Sequence, residues 1–451
     1  MGGTHAENSR NGPERMDETV ELEIESLSYG SDAVAHTADG RVVFVRGGCP
    51  GDVVVARVTR KHPRRLSAVV AEVITPSADR VAPPCPFFGE CGGCQWQHVA
   101  YAAQLDAKRR AVADTLARIA KIDAPVRDVV PSPKEYGYRN HVELRVGTMD
   151  KRTVVGYSAL GEERLVPVDR CLLLPDRFQK APDALGGVLR FLARDPRTGP
   201  VNRIGIRVAV HGGDVEVDLW TPPGPFPRQL AARAIADATR AATVARVLVR
   251  DQPLRRDVAG VEVLSGGGAW HESLGEFTYA VSAPSFFQVN TRVAEEMTRI
   301  VVAALDVSGS DRVLDLYAGV GTFTLPLAAT GADIVAVEGA GSAVRDLRRN
   351  LEDNGLYADV APGDAARALA DLGRFDLAVV DPPRAGMRPD ALSALVSTSP
   401  RRLVYVSCDP ATLARDARAL VDAGYALHEV MPVDLFPQSF HVEAIAVFDR
   451  A

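Results

Sequence analysis

The stretch Asp311-Arg312-Val313-Leu314-Asp315-Leu316-Tyr317-Ala318-Gly319-Val320-Gly321-Thr322-Phe323-Thr324-Leu325 constrains the fold more than any other. An apolar run, a glycine turn and a helix start follow in that order, and strand and helix patterns alternate from about Ala283 onward. This is the signature of a doubly wound parallel sheet, an α/β Rossmann-like domain. A glycine loop at the carboxyl end of the first strand is where such sheets receive a nucleotide-like ligand. Only Gly319 and Gly321 are present, so the G-x-G-x-x-G fingerprint for a pyrophosphate is not completed. The second strand, Ala332 to Val337, runs into Glu338, 23 positions after Asp315, where a carboxylate can accept from ribose hydroxyls. A Rossmann-like domain for some other nucleotide is the competing reading.

Later strand ends add chemistry on the same edge. Gly363-Asp364-Ala365 follows the third strand, Asp381-Pro382-Pro383-Arg384 ends the fourth, and Cys408 ends the fifth, Arg402 to Val406. The pairing of Asp315-x-x-x-Gly319-x-Gly321 with an acidic Glu338 resembles motifs of class I S-adenosylmethionine methyltransferases, and that cofactor has no pyrophosphate to cradle. By this resemblance Asp364 lies near the adenine. Asp409 caps the helix that Pro410 opens, so Cys408 precedes a helix N-terminus, an environment expected to favour thiolate. A lone cysteine is otherwise a small buried hydrophobe.

A methyl donor beside a thiol points to carbon methylation of a pyrimidine. Uracil C5 is a poor nucleophile, but attack of a thiolate at C6 turns the ring into an enolate that can take the methyl group. A base must then remove the C5 proton before the thiol is expelled. Phe436-Pro437-Gln438-Ser439-Phe440-His441-Val442-Glu443 supplies Glu443 for that task, with His441 as its rival.

The remaining cysteines form a second constellation. Cys85, Cys91 and Cys94, spaced Cys-x5-Cys-x2-Cys among glycines, need one more thiolate for a four-sulfur site, and Cys171 is the remaining candidate before the C-terminal half. A [4Fe–4S] cluster is expected, with tetrahedral zinc as the alternative, although the second short hook usual for zinc is missing. His98 reads as a residue at the surface or just behind the ligands rather than as a ligand, and Cys49 has no obvious chemical partner. Ahead of this site, short strand-like runs at Val20–Ile24, Arg41–Val45, Val53–Val58 and Ser67–Ile74, punctuated by glycines, suggest an OB-type β-barrel. That segment resembles a TRAM domain, an RNA-binding barrel. A helix is expected over Tyr101–Ile122 and another over Arg228–Ala242, within a central α+β region that carries Tyr138-Arg139-Asn140-His141.

Taken together, the chain resembles the RNA 5-methyluridine (uracil-C5) methyltransferase family, in the branch with a TRAM domain and an iron–sulfur cluster, as in bacterial 23S rRNA enzymes. The resemblance spans residues 19 to 450. It rests on the four cysteines, Phe286-Phe287-Gln288-Val289-Asn290, the glycine loop, Asp381-Pro382-Pro383-Arg384-Ala385-Gly386, Ser407-Cys408-Asp409-Pro410 and the Glu443 loop. It implies that Gln288, Tyr317, Glu338 and Asp381 hold the donor or the target base, that Cys408 is the nucleophile and Glu443 the base, and that Phe286 stacks on RNA bases. Ser439 departs from the threonine more usual in the family but keeps a hydroxyl. The implied division is a start of residues 1–18 without fixed structure, a TRAM-like barrel over 19–77, a central domain over 78–280 and a methyltransferase domain over 281–451. Alternatives are a tRNA uracil-C5 methyltransferase and a non-catalytic RNA-binding factor.

Charge and composition set limits on partners. A net charge of -6 over 451 residues gives no general support for nucleic-acid binding, so that role must fall to local patches such as Arg60-Lys61-His62-Pro63-Arg64-Arg65. No run approaches membrane-spanning length, Met1 to Glu18 lacks a signal-peptide core, and six cysteines are too few for a disulfide scaffold. A cytoplasmic enzyme with RNA as substrate, rRNA first, and no obligate protein partner is expected.

Overall fold

The computed structural model describes residues 18–252 and 255–450. The start expected to lack structure therefore lies outside the described residues, apart from Glu18. The chain forms two compact units, one holding residues up to Pro83 with Trp96–Ala103, the other Pro84–Gln95 and everything from Gln104 onward. No helix among the described residues is long and apolar enough to cross a membrane.

The first unit is a six-stranded sheet of β1 (Thr19–Glu23), β2 (Ser26–Leu27), β3 (Asp32–His36), β4 (Val42–Arg46), β5 (Val53–His62) and β6 (Arg65–Thr75), in the order β1-β5-β6-β4-β3-β2. Alternating residues Val43, Val45, Val54, Ala56, Leu66 and Ala68 fill its interior, as the period of two demands. β2 and β3 were not legible in the sequence, β2 because it is two residues long and β3 because the residues it buries, Ala33 and Ala35, are small. The basic run is no separate loop: β5 extends through His62, and only Pro63 and Arg64 form the turn to β6. Cys49 is buried, and burial lifts its thiol to about 11.

In the second unit, α1 (Tyr101–Thr115) ends in a wider turn over Leu116–Ala120 and a left-handed Lys121, short of the expected Ile122. A seven-stranded sheet follows, from β7 (His141–Met149), β8 (Arg152–Ser158), β9 (Leu165–Pro167), β10 (Arg203–Val208), β11 (Val215–Thr221), β12 (Thr243–Gln252) and β13 (Arg255–Ser265). Its order is β13-β12-β11-β10-β7-β8-β9, with α2 (Ala181–Leu192) and α3 (Arg228–Thr239) packed on it. α3 stops before Ala242 because Arg240 turns left-handed as its cap. A hairpin, β14 (Trp270–Leu274) with β15 (Phe277–Val281), leads onward.

The C-terminal part alternates as expected: α4 (Thr291–Leu305), β16 (Arg312–Leu316), α5 (Thr324–Ala328), β17 (Asp333–Glu338), α6 (Gly341–Asp353), β18 (Asp359–Pro362), α7 (Ala365–Leu372), β19 (Leu377–Val380), α8 (Pro389–Thr398), β20 (Arg402–Ser407), α9 (Pro410–Asp422), β21 (Tyr425–Val433) and β22 (Glu443–Arg450). The sheet order is β18-β17-β16-β19-β20-β22-β21, and β22 alone runs antiparallel to its neighbours. Every residue of β19 is buried, the continuous apolar run typical of a strand covered on both faces. The chain reverses direction through the sheet at β16, where β17 lies on one side and β19 on the other. A ligand crevice opens at the carboxyl ends of the strands at such a point.

Candidate active site

At that crevice lies a cavity of about 1040 Å³. Its walls include Gln288, Tyr317, Gly319, Glu338, Asp381, Cys408 and Glu443, so seven of the ten residues expected to bind the donor or act in catalysis meet in one space. Asp315, Gly321 and Asp364 are not among the described lining residues. Asp315 is buried beneath the turn, where it accepts from Thr324 Oγ1 at 2.5 Å. Burial lifts its carboxyl to about 7, with Glu338 adding to the effect. Gly321 has φ +100°, and a Cβ there would stand 2.7 Å from Leu325 and from Leu347, so its role is close packing of the turn. Asp364 precedes α7 and pairs with Arg388 at 3.0 Å.

The glycine turn is shaped by its backbone. Tyr317 and Gly319 both adopt the left-handed region, φ 67° and 57°, which is costly for a tyrosine and marks a turn held by its surroundings. Glu338 provides the hold, accepting from Gly319 N–H at 2.8 Å and Ala340 N–H at 2.6 Å. The loop Pro284 to Gln288 is fixed from the central sheet. Asn140 donates from its side chain to the Gln288 carbonyl at 2.8 Å, and Arg207 donates to the Ser285 carbonyl at 2.6 Å. This explains the Tyr138–His141 segment, whose purpose the sequence left open. Phe286 projects into the cavity mouth with 68% of its surface exposed.

Cys408 and Glu443 face each other because of sheet register. Ser407 on β20 pairs with Ala444 on antiparallel β22, so the next step sets Cys408 across from Glu443. The expectation of a thiolate-favouring helix end does not hold here. Burial, then Glu443 and Asp381, push the thiol up to about 12, against the opposing pull of Arg384. The N–H groups of Ala411 and Thr412 are already taken by the Asp409 carboxylate, at 3.0 and 3.1 Å, which leaves little of the helix end for the sulfur. Burial and Asp381 raise Glu443 well above the ordinary carboxyl range, and its Oε2 is buried with no hydrogen-bond partner. Burial and Asp315 raise Asp381 to about 7. A cation placed in this cavity would draw all three acids back toward the ionised form.

His441, the rival base, is not among the cavity-lining residues. Its ring packs on Phe440 at 4.2 Å and on Phe436 at 5.8 Å, and burial with the Arg384, Lys108 and Arg139 charges lowers it to about 4. Sequence reasoning missed the Val258–Val261 part of the cavity wall, where Val258 and Val261 are partly exposed.

The four thiols of the cysteine site form no disulfide, and all are half-buried. Pro84–Gln95 folds with the central sheet rather than with the barrel, and Gly92 N–H donates to the Ser158 carbonyl at 2.9 Å. Burial pushes Cys91 up to about 11, opposed by a Gly93 N–H at 3.4 Å and reinforced by Cys171 and Cys85. Cys171 in turn lies against Tyr157, and Cys94 and Cys85 act on Tyr136. Among the described residues no three His, Cys, Asp or Glu side chains converge closely enough to hold one metal ion.

Comparison with known proteins adds a further set of findings. Residues 273–359 and 368–451 match the tRNA (uracil-5-)-methyltransferase family, and residues 16–71 match the TRAM domain. An RNA methyltransferase of Gloeobacter violaceus is 35% identical over 96% of this chain and 97% of that protein. One of Thermosynechococcus vestitus is 36% identical over 95% and 97%. Among solved structures, the tRNA (uracil-54, C5)-methyltransferase of Pyrococcus abyssi, in complex with S-adenosyl-L-homocysteine, superimposes with a TM-score of 0.73. It is 26% identical, over 95% of this chain and 99% of that one.

Proposed function

The chain belongs to the RNA (uracil-5-)-methyltransferase family, enzymes that use S-adenosylmethionine, and from that premise we propose that it methylates C5 of a uridine in RNA through a covalent Cys408 adduct. The observation that carries the reading is the cavity in which a thiol and an unpartnered carboxyl oxygen share one wall with the Gly319–Glu338 turn. The donor supplies an electrophilic methyl group on a sulfonium. Tyr317, Gly319 and Glu338 hold its nucleoside part, and Gln288 and Asp381 orient the target base. Cys408 gives its proton to water, the thiolate sulfur bonds to C6, and the C5–C6 electron pair moves into the ring as an enolate that makes C5 nucleophilic. After C5 is methylated, Glu443 takes the C5 proton, the double bond reforms, and the sulfur departs with the C6–S electrons. Enclosing the base in this cavity requires that it be flipped out of its stack.

We propose 23S rRNA as the first substrate, on the combination of barrel and four-cysteine site, and tRNA as the second, supported by the Pyrococcus abyssi enzyme's stated substrate. Incubation with labelled donor and total RNA, followed by nucleoside analysis, should yield 5-methyluridine. Label on a heteroatom or on cytosine would overturn the reading, and separating rRNA from tRNA beforehand decides the substrate.

For the cysteine site we propose a [4Fe–4S] cluster held by Cys85, Cys91, Cys94 and Cys171. Zinc draws four sulfurs to about 2.3 Å from one point, whereas a cubane gives each thiolate its own iron and takes ligands spread further apart. Cys91 feels the charges of Cys171 and Cys85, as neighbouring ligands of one group would. The group would brace the segment that carries its ligands. Protein purified without oxygen should be brown, with about four irons per chain; zinc without iron would exclude the cluster. A cytoplasmic location accompanies this reading, because the thiols require a reducing compartment.

A further inference from the structure

The loop that delivers Glu443 is held by residues far away in sequence. Gln438 sits at its bend with φ 70°, and only 2% of its surface is exposed. Its N–H donates to Gln104 Oε1 at 3.0 Å, and its side-chain oxygen accepts from Gln104 Nε2 at 3.1 Å. Its carbonyl accepts from the Gln95 N–H at 3.0 Å, and Gln95 directly follows Cys94. The two preceding carbonyls are held as well: Pro437 accepts from the Tyr138 hydroxyl at 3.1 Å and Phe436 from Lys108 Nζ at 3.0 Å. Three successive carbonyls of one loop are thus anchored by α1, by the Tyr138 turn and by the cysteine segment. None of the anchoring residues is among those that line the cavity.

We propose that Gln104 and Gln438 form a clasp that positions Glu443, making Gln104 a positioning residue for proton removal from C5 and for no earlier step. The clasp rests on the reading of Glu443 as the base. A left-handed bend in a buried loop persists only where its surroundings over-determine it, and paired side-chain and backbone bonds at one residue provide that. Loss of the pair lets the loop relax. The base then drifts from the C5 proton, while Cys408, on β20, keeps its place.

The test is Gln104→Met in the full chain, which preserves volume and removes both side-chain bonds. With donor and RNA, the covalent protein–RNA adduct should form at close to the wild-type rate but decay about tenfold or more slowly, so that its steady-state fraction rises. Gln104→Glu keeps an acceptor for the Gln438 N–H and should recover most of the decay rate, which a general loss of folding would not allow. Glu443→Gln is run in parallel. If it fails to hold the adduct, the reading of the base is wrong; if it holds the adduct while Gln104→Met releases RNA as wild type does, the clasp is wrong. Equal slowing of adduct formation and decay in Gln104→Met would also overturn the clasp.

Discussion

Glu443→Gln should turn the enzyme into a trap for its own product. The amide cannot take the C5 proton, so methylated RNA stays bonded through C6 to the Cys408 sulfur and migrates with the protein under denaturing conditions, but only when S-adenosylmethionine has been supplied. Turnover should fall by about 10²- to 10⁴-fold, the usual worth of a positioned base. Cys408→Ala should remove both methylation and the band, because no sulfur remains to add at C6. A Glu443→Gln variant that turns over normally would hand the proton to another group. His441 would be first in line, although burial and nearby cations hold it neutral down to about pH 4. A Cys408→Ala variant that still methylates would end the covalent mechanism.

Lys108→Met should lower stability by about 3–5 kcal/mol, the cost of leaving one member of a buried ion pair alone. Lys108 Nζ lies 2.5 Å from Asp434 Oδ1, and both side chains are fully buried. Burial depresses the lysine's pKa, and Asp434 opposes that shift. The double variant Lys108→Met/Asp434→Leu removes the orphaned charge along with its partner and should regain most of the loss. Thermal or denaturant unfolding of the two single variants and the double variant gives the coupling directly. A loss under about 1 kcal/mol for Lys108→Met would mean that water reaches the site and screens the pair.

What the sequence revealed follows the range of the interactions involved. The strand from Arg402, the Asp409 cap and the Pro410 helix are local patterns, and they appear as expected, with Asp409 accepting from two N–H groups. The alternation from β16 to α9 was equally plain, because each buried strand is a short apolar run beside a glycine or a cap. Cys408 stood out for the same reason: a thiol at a strand end is visible one residue at a time. Its raised pKa was not visible, since that arises from burial and then from Glu443 and Asp381, which other parts of the chain bring to it. The bond from Thr324 to Asp315 was not visible, because an acid closing a first strand looks the same whether it faces a ligand or turns under the loop. Gln104 and Gln438 lie 334 residues apart, and nothing in either neighbourhood announces the other.

The antiparallel course of β22 bears on how such an enzyme can change its target. In an all-parallel sheet, groups on the reactive edge come from separate strand ends and their following loops, and each can wander alone. Here Cys408 directly follows β20 and Glu443 begins β22, opposite each other one step beyond a backbone ladder that runs from Arg402 and Asp449 to Ser407 and Ala444. A slip of one residue would turn Glu443 to the opposite face of the sheet, so the register of the two backbones changes only in whole steps. The spacing between the backbones of Cys408 and Glu443 is therefore set by β-sheet geometry, and the aim of the Glu443 side chain by the loop that precedes it. The Val258–Val261 wall can then vary to admit a different RNA without retuning the chemistry.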